Sequence, residues 1–378
     1  MALRLSRGQS TGPIPARPTL ATIAAILLAA SIAMARDANA TTAAGAATAD
    51  APAKRAAAAA APAIRVHNIA VGGGPNSVAI DSRSRAVWVA AGHLVRISEA
   101  RQRVTARIPI LLAVNNVAVD VKRHAVWATS CVGTCLLAEV SEATNHVVHQ
   151  VSGFGPVSGL AVDSRTGVIW MATVNSAKQN VVLAVSETTR QIVRRIRMRF
   201  GADHVLGGMA ADPRTGTVWV SVVPCPTCSA RDSVAEIKES AHRVTHVYPT
   251  ADQGISTSVI AAVDSRRGTV WLASGMIREP SGHLEVISIA RHKIIRRIAT
   301  FWVAPEGLAI DSRRAVVVAT GGGTPGHRDS VVLVSESSGK QTAKIPMGLY
   351  PNMLALDPAT GNVYVPIVFK AEVSRFRL

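Results

Sequence analysis

After residue 63 the chain is a succession of short apolar runs separated by polar turns, and the runs themselves repeat. A run ending in Asp is followed by a turn and then by a second run centred on an aromatic residue. Val78-Ala79-Ile80-Asp81 leads to Trp88, Val117-Ala118-Val119-Asp120 to Trp127, and the run from Leu160 to Asp163 to Trp170. Asp212 precedes Trp219, Asp264 precedes Trp271 and Asp357 precedes Tyr364 at the same offset of seven, while Asp311 reaches Val317 one residue sooner. The intervening segments, such as Asp163-Ser164-Arg165-Thr166-Gly167 and Asp357-Pro358-Ala359-Thr360-Gly361, are hairpin loops. Asp or Pro opens the turn, and Gly at its end takes the positive φ that a bulge requires.

Each unit continues with a third run, often ending in apolar-Ser-Glu, as in Val185-Ser186-Glu187 and Val334-Ser335-Glu336. A fourth run alternates apolar and charged residues, as in Ile294-Ile295-Arg296-Arg297-Ile298. Four strands per unit, repeated seven times, predict an all-β seven-bladed β-propeller with four antiparallel strands per blade. The seventh unit stops at Leu378 just after its third strand, in Glu372-Val373-Ser374-Arg375-Phe376. The segment Ile64-Arg65-Val66-His67-Asn68-Ile69-Ala70-Val71 precedes the first unit and reads as an orphan fourth strand. Pairing the two completes the last blade and removes an exposed sheet edge.

These repeats, best seen in Pro305-Glu306-Gly307-Leu308-Ala309-Ile310-Asp311, resemble the YVTN-type repeat propellers of exported bacterial and archaeal proteins, over roughly residues 64 to 378. Here the Tyr-Val-Thr-Asn stretch of that family is Trp-Val-Ala or Trp-Leu-Ala, and its third-strand Ile-Asp is Val-Ser-Glu. The resemblance implies a fold rather than a chemistry, since the family is defined by repeats.

The first 63 residues have a different composition. Arg4, Arg7 and Arg17 precede an uncharged apolar run from about Leu20 to Ala35, and Ala38-Asn39-Ala40 offers a small-x-small cleavage site. Residues 1–40 are therefore expected to be a signal peptide, short for a membrane span, with an uncleaved anchor as the alternative. Residues 41–63, almost all Ala, Thr, Pro and Gly, read as a flexible linker. The propeller then occupies 64–378, in a secreted or envelope-held (periplasmic) monomer whose mature part has no transmembrane segment.

The formal charge of +17 changes the picture in one respect. Arg83, Arg85, Lys122, Arg123, Arg165, Arg214, Arg266, Arg267, Arg313 and Arg314 all fall in the first hairpin turns. They predict a basic face suited to an anionic polymer or envelope surface. Arg107, Arg194, Arg195, Arg296, Arg297 and Lys344 fall on outer strands, where they guard edges.

The opposite face gathers the longer, variable loops, where a protein or carbohydrate partner is expected. Cys131 and Cys135 follow the second strand of blade 2, and Cys225 and Cys228 that of blade 4. Two local disulfides, Cys131 with Cys135 and Cys225 with Cys228, fit an exported protein better than a shared zinc site. Five positions before each repeat Asp stand Asn76, Asn115, Ser158, Gly207, Val259, Glu306 and Asn352. Glu306, Asn352, Asn76 and Asn115 come from consecutive blades and form an arc of oxygen donors. The arc suits Ca²⁺ and resembles the metal site of gluconolactonase-type propellers; equally, Asn there turns the chain into a strand.

His204, beside Asp203, is the best-placed imidazole for acid–base work, although no nucleophile accompanies it. His93, His283 and His327 each follow Gly on separate blades. Gly321-Gly322-Gly323-Thr324-Pro325-Gly326 has dinucleotide-fingerprint spacing but no following helix. The expectation is a non-enzymatic binding or scaffolding propeller, with a metal-dependent hydrolase or lactonase at the channel mouth as the alternative. A quinone-dependent dehydrogenase is disfavoured by the scarcity of loop aromatics.

Overall fold

In the computed structural model, the described residues are 64–378 except 111–112, 133, 201–203, 225–230, 254–255, 277–281, 301–302, 323–328 and 349. They form seven four-stranded sheets. Six of these are simple meanders in chain order, with first strands Ser77–Asp81, Val114–Asp120, Val157–Asp163, His204–Asp212, Ser256–Asp264 and Val303–Asp311. The seventh contains Ala355–Asp357, Asn362–Ile367 and Glu372–Arg377, and its outermost member is His67–Ala70 from the start of the described chain. First strands of successive blades contact one another in order, and that of blade 7 meets that of blade 1. The expected closure is thus present: His67 pairs with Arg375 and Ala70 with Glu372, antiparallel. Ile69, only 5% exposed, carries the closing strand into the core. No helix among the described residues is long and apolar enough to cross a membrane.

The repeat owes its regularity to one cross-strand pair. Ala79 faces Trp88, Ala118 faces Trp127, Ala161 faces Trp170, Ala210 faces Trp219, Ala262 faces Trp271 and Ala355 faces Tyr364. A small residue opposite a large buried ring lets inner strands approach while the outer part of the blade fills the gap to its neighbour. Blade 6 corrects the reading of Val317. Asp311 pairs with Val316 and Ala309 with Val318, so the hairpin has its usual length and Val318 stands in the aromatic position. The spacing is uniform; the aromatic residue has simply been replaced.

Each repeat Asp is buried and caps its hairpin. Asp81 Oδ1 accepts the Arg83 amide at 2.7 Å and the Ser84 amide at 3.2 Å, and Asp311 Oδ1 accepts those of Arg313 and Arg314 at 2.9 and 3.0 Å. The turn ends in a left-handed residue, Gly167 or Gly361 where the sequence predicted it, but Arg85, His124 and Ala315 elsewhere.

Carboxyls from the next blade complete the joint. Trp88 Nε1 donates to Glu142 at 2.8 Å and Trp127 Nε1 to Glu187 at 2.7 Å, each indole reaching the Ser-Glu signature of the following blade. The pattern closes round the ring, because Asn362 Nδ2 of blade 7 donates to Glu99 of blade 1 at 2.7 Å. Arginines lock the turns from outside: Arg165 Nε donates to Pro213 O at 2.7 Å, Arg214 to Ser265 O at 2.6 Å, Arg267 to Ser312 O at 3.0 Å and Arg314 to Pro358 O at 3.2 Å.

Two carboxyls buried together cannot both ionise cheaply. Burial, reinforced by Asp120, pushes Glu187 up to about 8; burial together with Asp163 and Asp264 lifts Glu239 and Glu336 to about 7. Burial also works against ionised Asp120 and Asp264, but the hydrogen bonds of Glu187, Arg123 and Arg267 outweigh it and hold both below the usual range. The glutamate thus keeps a proton that the aspartate has lost.

The sign of the linkage follows. Between the ordinary carboxylate range and about pH 8 the folded chain binds protons that the unfolded chain has released. Stability therefore falls as pH rises through that window, by up to about 1.4 kcal/mol per pH unit for each such carboxyl. Glu187→Gln keeps an oxygen for Trp127 and a donor for Asp120. It is expected to flatten the decline, being more stable than the natural chain at pH 8 and close to it at pH 5 in urea unfolding. Parallel pH curves would contradict the proton assignment.

Candidate binding face at the channel mouth

The inner strands enclose a cavity of about 160 Å³ whose lining includes Gly159, Gly208, Gly307, Leu308, Met209 and Met353. The glycine of the Pro-x-Gly motif is required by close approach: a Cβ on Gly307 would lie 2.8 Å from Leu354 N and 2.9 Å from Asn352 O. The lining is mixed, with Ser77 and Asn116 among the apolar side chains and glycines.

At the rim on the long-loop side, the pairing slips by one residue between Val114 and Asn116, Val157 and Gly159, and Pro305 and Gly307. These bulges hold Asn115, Ser158 and Glu306, and a bulge re-aims the side chain it carries. Asn76 stands just before its strand with its amide donating to Ala90 O at 2.9 Å. The four arc residues therefore occupy the same end of consecutive blades. Their individual partners differ: Asn352 Oδ1 accepts the adjacent Met353 amide at 2.8 Å, and Glu306 Oε1 accepts Tyr350 Oη at 3.4 Å. Burial raises Glu306 to about 7, with the Tyr350 hydroxyl pulling the other way.

Tyr350 is the feature that sequence reasoning missed. It adopts φ of 62°, a conformation rare for a bulky residue. Two contacts hold it there: its amide donates to Asp329 Oδ2 at 2.6 Å, and its carbonyl accepts the Val368 amide at 3.2 Å. The ring meets Phe369 edge-on, with centroids 5.6 Å apart at 66°. Phe369 sits on the short helix Val368–Lys370 between the second and third strands of blade 7. Both rings are among the exposed large hydrophobics, at 36% and 48% exposure. A phenol, a phenyl ring and a carboxyl thus share one corner of the rim.

His204 opens the first strand of blade 4, with Nδ1 buried and without a hydrogen-bond partner among the described residues, and its ring lies 5.9 Å from Phe200. His93 and His283 open third strands on separate blades. Cys131 and Cys135 face each other across the second and third strands of blade 2, their Cα atoms 4.2 Å apart and their sulfurs joined. Cys225, Cys228, Asp203, His327 and Gly323–Gly326 lie outside the described residues, as do the signal-peptide and linker segments.

The hairpin face divides the basic set in two. Arg123, Arg165, Arg214, Arg267 and Arg314 are bound to buried carboxylates and neighbouring turns. Arg83, Lys122, Arg266 and Arg313 contribute backbone amides to the turns, and they are exposed at the tips, as is the left-handed turn residue Arg85.

No family model matches the chain, and no curated protein matches it. Among solved structures the chain is similar to one titled Kuenenia stuttgartiensis Hydrazine Synthase, with a TM-score of 0.68 and 14% identity, over 81% of this chain and 96% of that one. A likeness at that identity establishes the propeller fold and carries no chemistry across.

Proposed function

We propose that this protein is an exported, non-enzymatic binding propeller that recognises carbohydrate at the corner of the rim formed by blades 6 and 7. The observation that carries the proposal is Tyr350, held in a left-handed backbone conformation with its ring exposed beside Phe369 and its hydroxyl turned to Glu306. Strain of this kind persists where surrounding contacts impose it and marks functional positions. Exposed aromatic rings offer an apolar surface to sugar faces, while a carboxyl and nearby amides suit hydroxyls. The Cys131–Cys135 pair agrees with an oxidising compartment, as does the N-terminal segment.

The carboxyls with strongly raised pKa values, which elsewhere point to catalysis, are here mostly joints between blades. Glu187, Glu239 and Glu336 are 6–8% exposed and stand against a tryptophan and an aspartate. A metal-dependent hydrolase at the mouth is the second reading, and Glu306 is its observation. A Ca²⁺ ion there would have to displace the proton that burial favours on Glu306.

Titration of the purified protein with envelope polysaccharide fragments is expected to show binding that Tyr350→Ala with Phe369→Ala weakens roughly tenfold or more, the melting temperature being unchanged. Glu306→Gln is expected to leave any lactone or ester hydrolysis at background; hydrolysis abolished by that change would establish the second reading instead.

The hairpin face supplies the second contact, to anionic polymer, through Arg83, Lys122, Arg266 and Arg313. Reversing these four charges is expected to lower the salt needed to elute the protein from heparin. Unchanged elution would remove this face from the account.

A further inference from the structure

The junction of blades 4 and 5 departs from the others. Trp219, Glu236 and His246 are cross-strand partners in one row of blade 4, and Tyr248 lies two residues further along the same outer strand. That strand, Arg243–Gln253, has eleven residues. From blade 5 comes His292, the left-handed residue of the turn between third and fourth strands, at φ of 47°.

Three donors converge on a single buried oxygen. Glu236 Oε2 lies 2.8 Å from Tyr248 Oη, 3.2 Å from His246 Nδ1 and 3.3 Å from His292 Nδ1. Glu236 is 3% exposed, while both histidines are more than two-fifths exposed at the outer rim. The imidazoles stack with centroids 4.0 Å apart at 15°, so protonating both places two like charges face to face.

Comparison with blade 2 shows what is unusual. There Glu139 pairs with His149 in the same register, and the turn residue arriving from blade 3 is Arg190. Arg190 Nε reaches Glu139 Oε2 at 2.7 Å, an ordinary charge-assisted hydrogen bond. At blades 4 and 5 a histidine replaces the arginine, and the nitrogen–oxygen distances lengthen. They match the edge of a tetrahedron with metal–ligand bonds of 2.0–2.1 Å, which is about 3.3 Å, and the stacked rings need only swing apart for both Nδ1 atoms to face one ion.

We infer that Glu236, His246 and His292 form a site for a divalent first-row transition metal of the Zn²⁺ class, bridging blades 4 and 5. Two imidazoles and one carboxylate are the donor set such ions prefer. Tyr248 orients the carboxylate through its hydroxyl, and the exposed rim leaves the fourth position to water. The site is separate from the channel mouth and independent of what binds there.

Zn²⁺ titration of the full-length purified protein by calorimetry, with cysteines oxidised, tests the inference. Saturable binding of one ion per chain is expected, with a rise in melting temperature on adding Zn²⁺. His292→Arg converts this junction to the blade 2 type. It is expected to keep the metal-free melting temperature and to weaken Zn²⁺ binding roughly tenfold or more, and His246→Ala to weaken it likewise. His149→Ala is expected to leave binding unchanged. Absence of saturable binding in the natural chain would overturn the inference, as would binding that survives both His292→Arg and His246→Ala, which would place the ion on other ligands such as Asp81, His124 and Glu142.

Discussion

The last sheet of this ring of blades is completed from the other end of the chain, which ties the first and last blades together. The tie is made by four residues, His67–Ala70, lying against Glu372–Arg377. The closing strand buries Ile69 and Val71 among Val87, Val89 and Tyr364, so it joins blade 7 to blade 1 through the core as well as through the sheet. Asn68 and Ser374 add a side-chain hydrogen bond of 2.9 Å across the seam. Everything positional in the molecule depends on that seam, because it fixes which blades are neighbours and which loops share a rim.

Closure brings adjacent blades together; the carboxyl joints hold them in register. Five of the seven joints take a turn-capping aspartate from one blade and a glutamate from the next, with an indole or amide orienting the pair, while Ile289 and Leu378 hold the glutamate position in the other two. Raised pKa values therefore recur around the hairpin face for architectural reasons. Other chemistry among the described residues is local: an aromatic corner on the long-loop rim and two histidine–carboxylate clusters, Glu236 with His246 and His292, and Asp81 with His124 and Glu142.

Much of the architecture was legible because it is written in the repeat. The run ending in Asp and the spacing of seven to the next core position recur in every blade, with an aromatic at that position in six, and the missing strand could be found by counting. The Val317 misreading shows the limit of residue-type matching. Only the pairing of Ala309 with Val318 reveals that blade 6 keeps the spacing. Where Val318 stands in the aromatic position, Leu378 occupies the glutamate position of the following blade, its amide bonded to Gly361 O as Glu187 N is to Gly167 O, but Ile289 holds that position after Trp219, so the two positions do not vary together. Tyr350 was unreadable, since its conformation is set by Asp329 and Val368 from other elements. The Glu236 cluster was missed because its members belong to two blades. Aligning Glu139, His149 and Arg190 with Glu236, His246 and His292 would have exposed the arginine-to-histidine exchange.

Amide hydrogen exchange, resolved by peptide, tests ring closure most directly. The account predicts that amides of 67–70 are protected to the same degree as those of 372–377 and open with them, because the two segments are one sheet. Exchange of 67–70 at free-peptide rates beside a protected 362–377 would contradict it, and the neighbour assignments of blades 7 and 1 would fall with it.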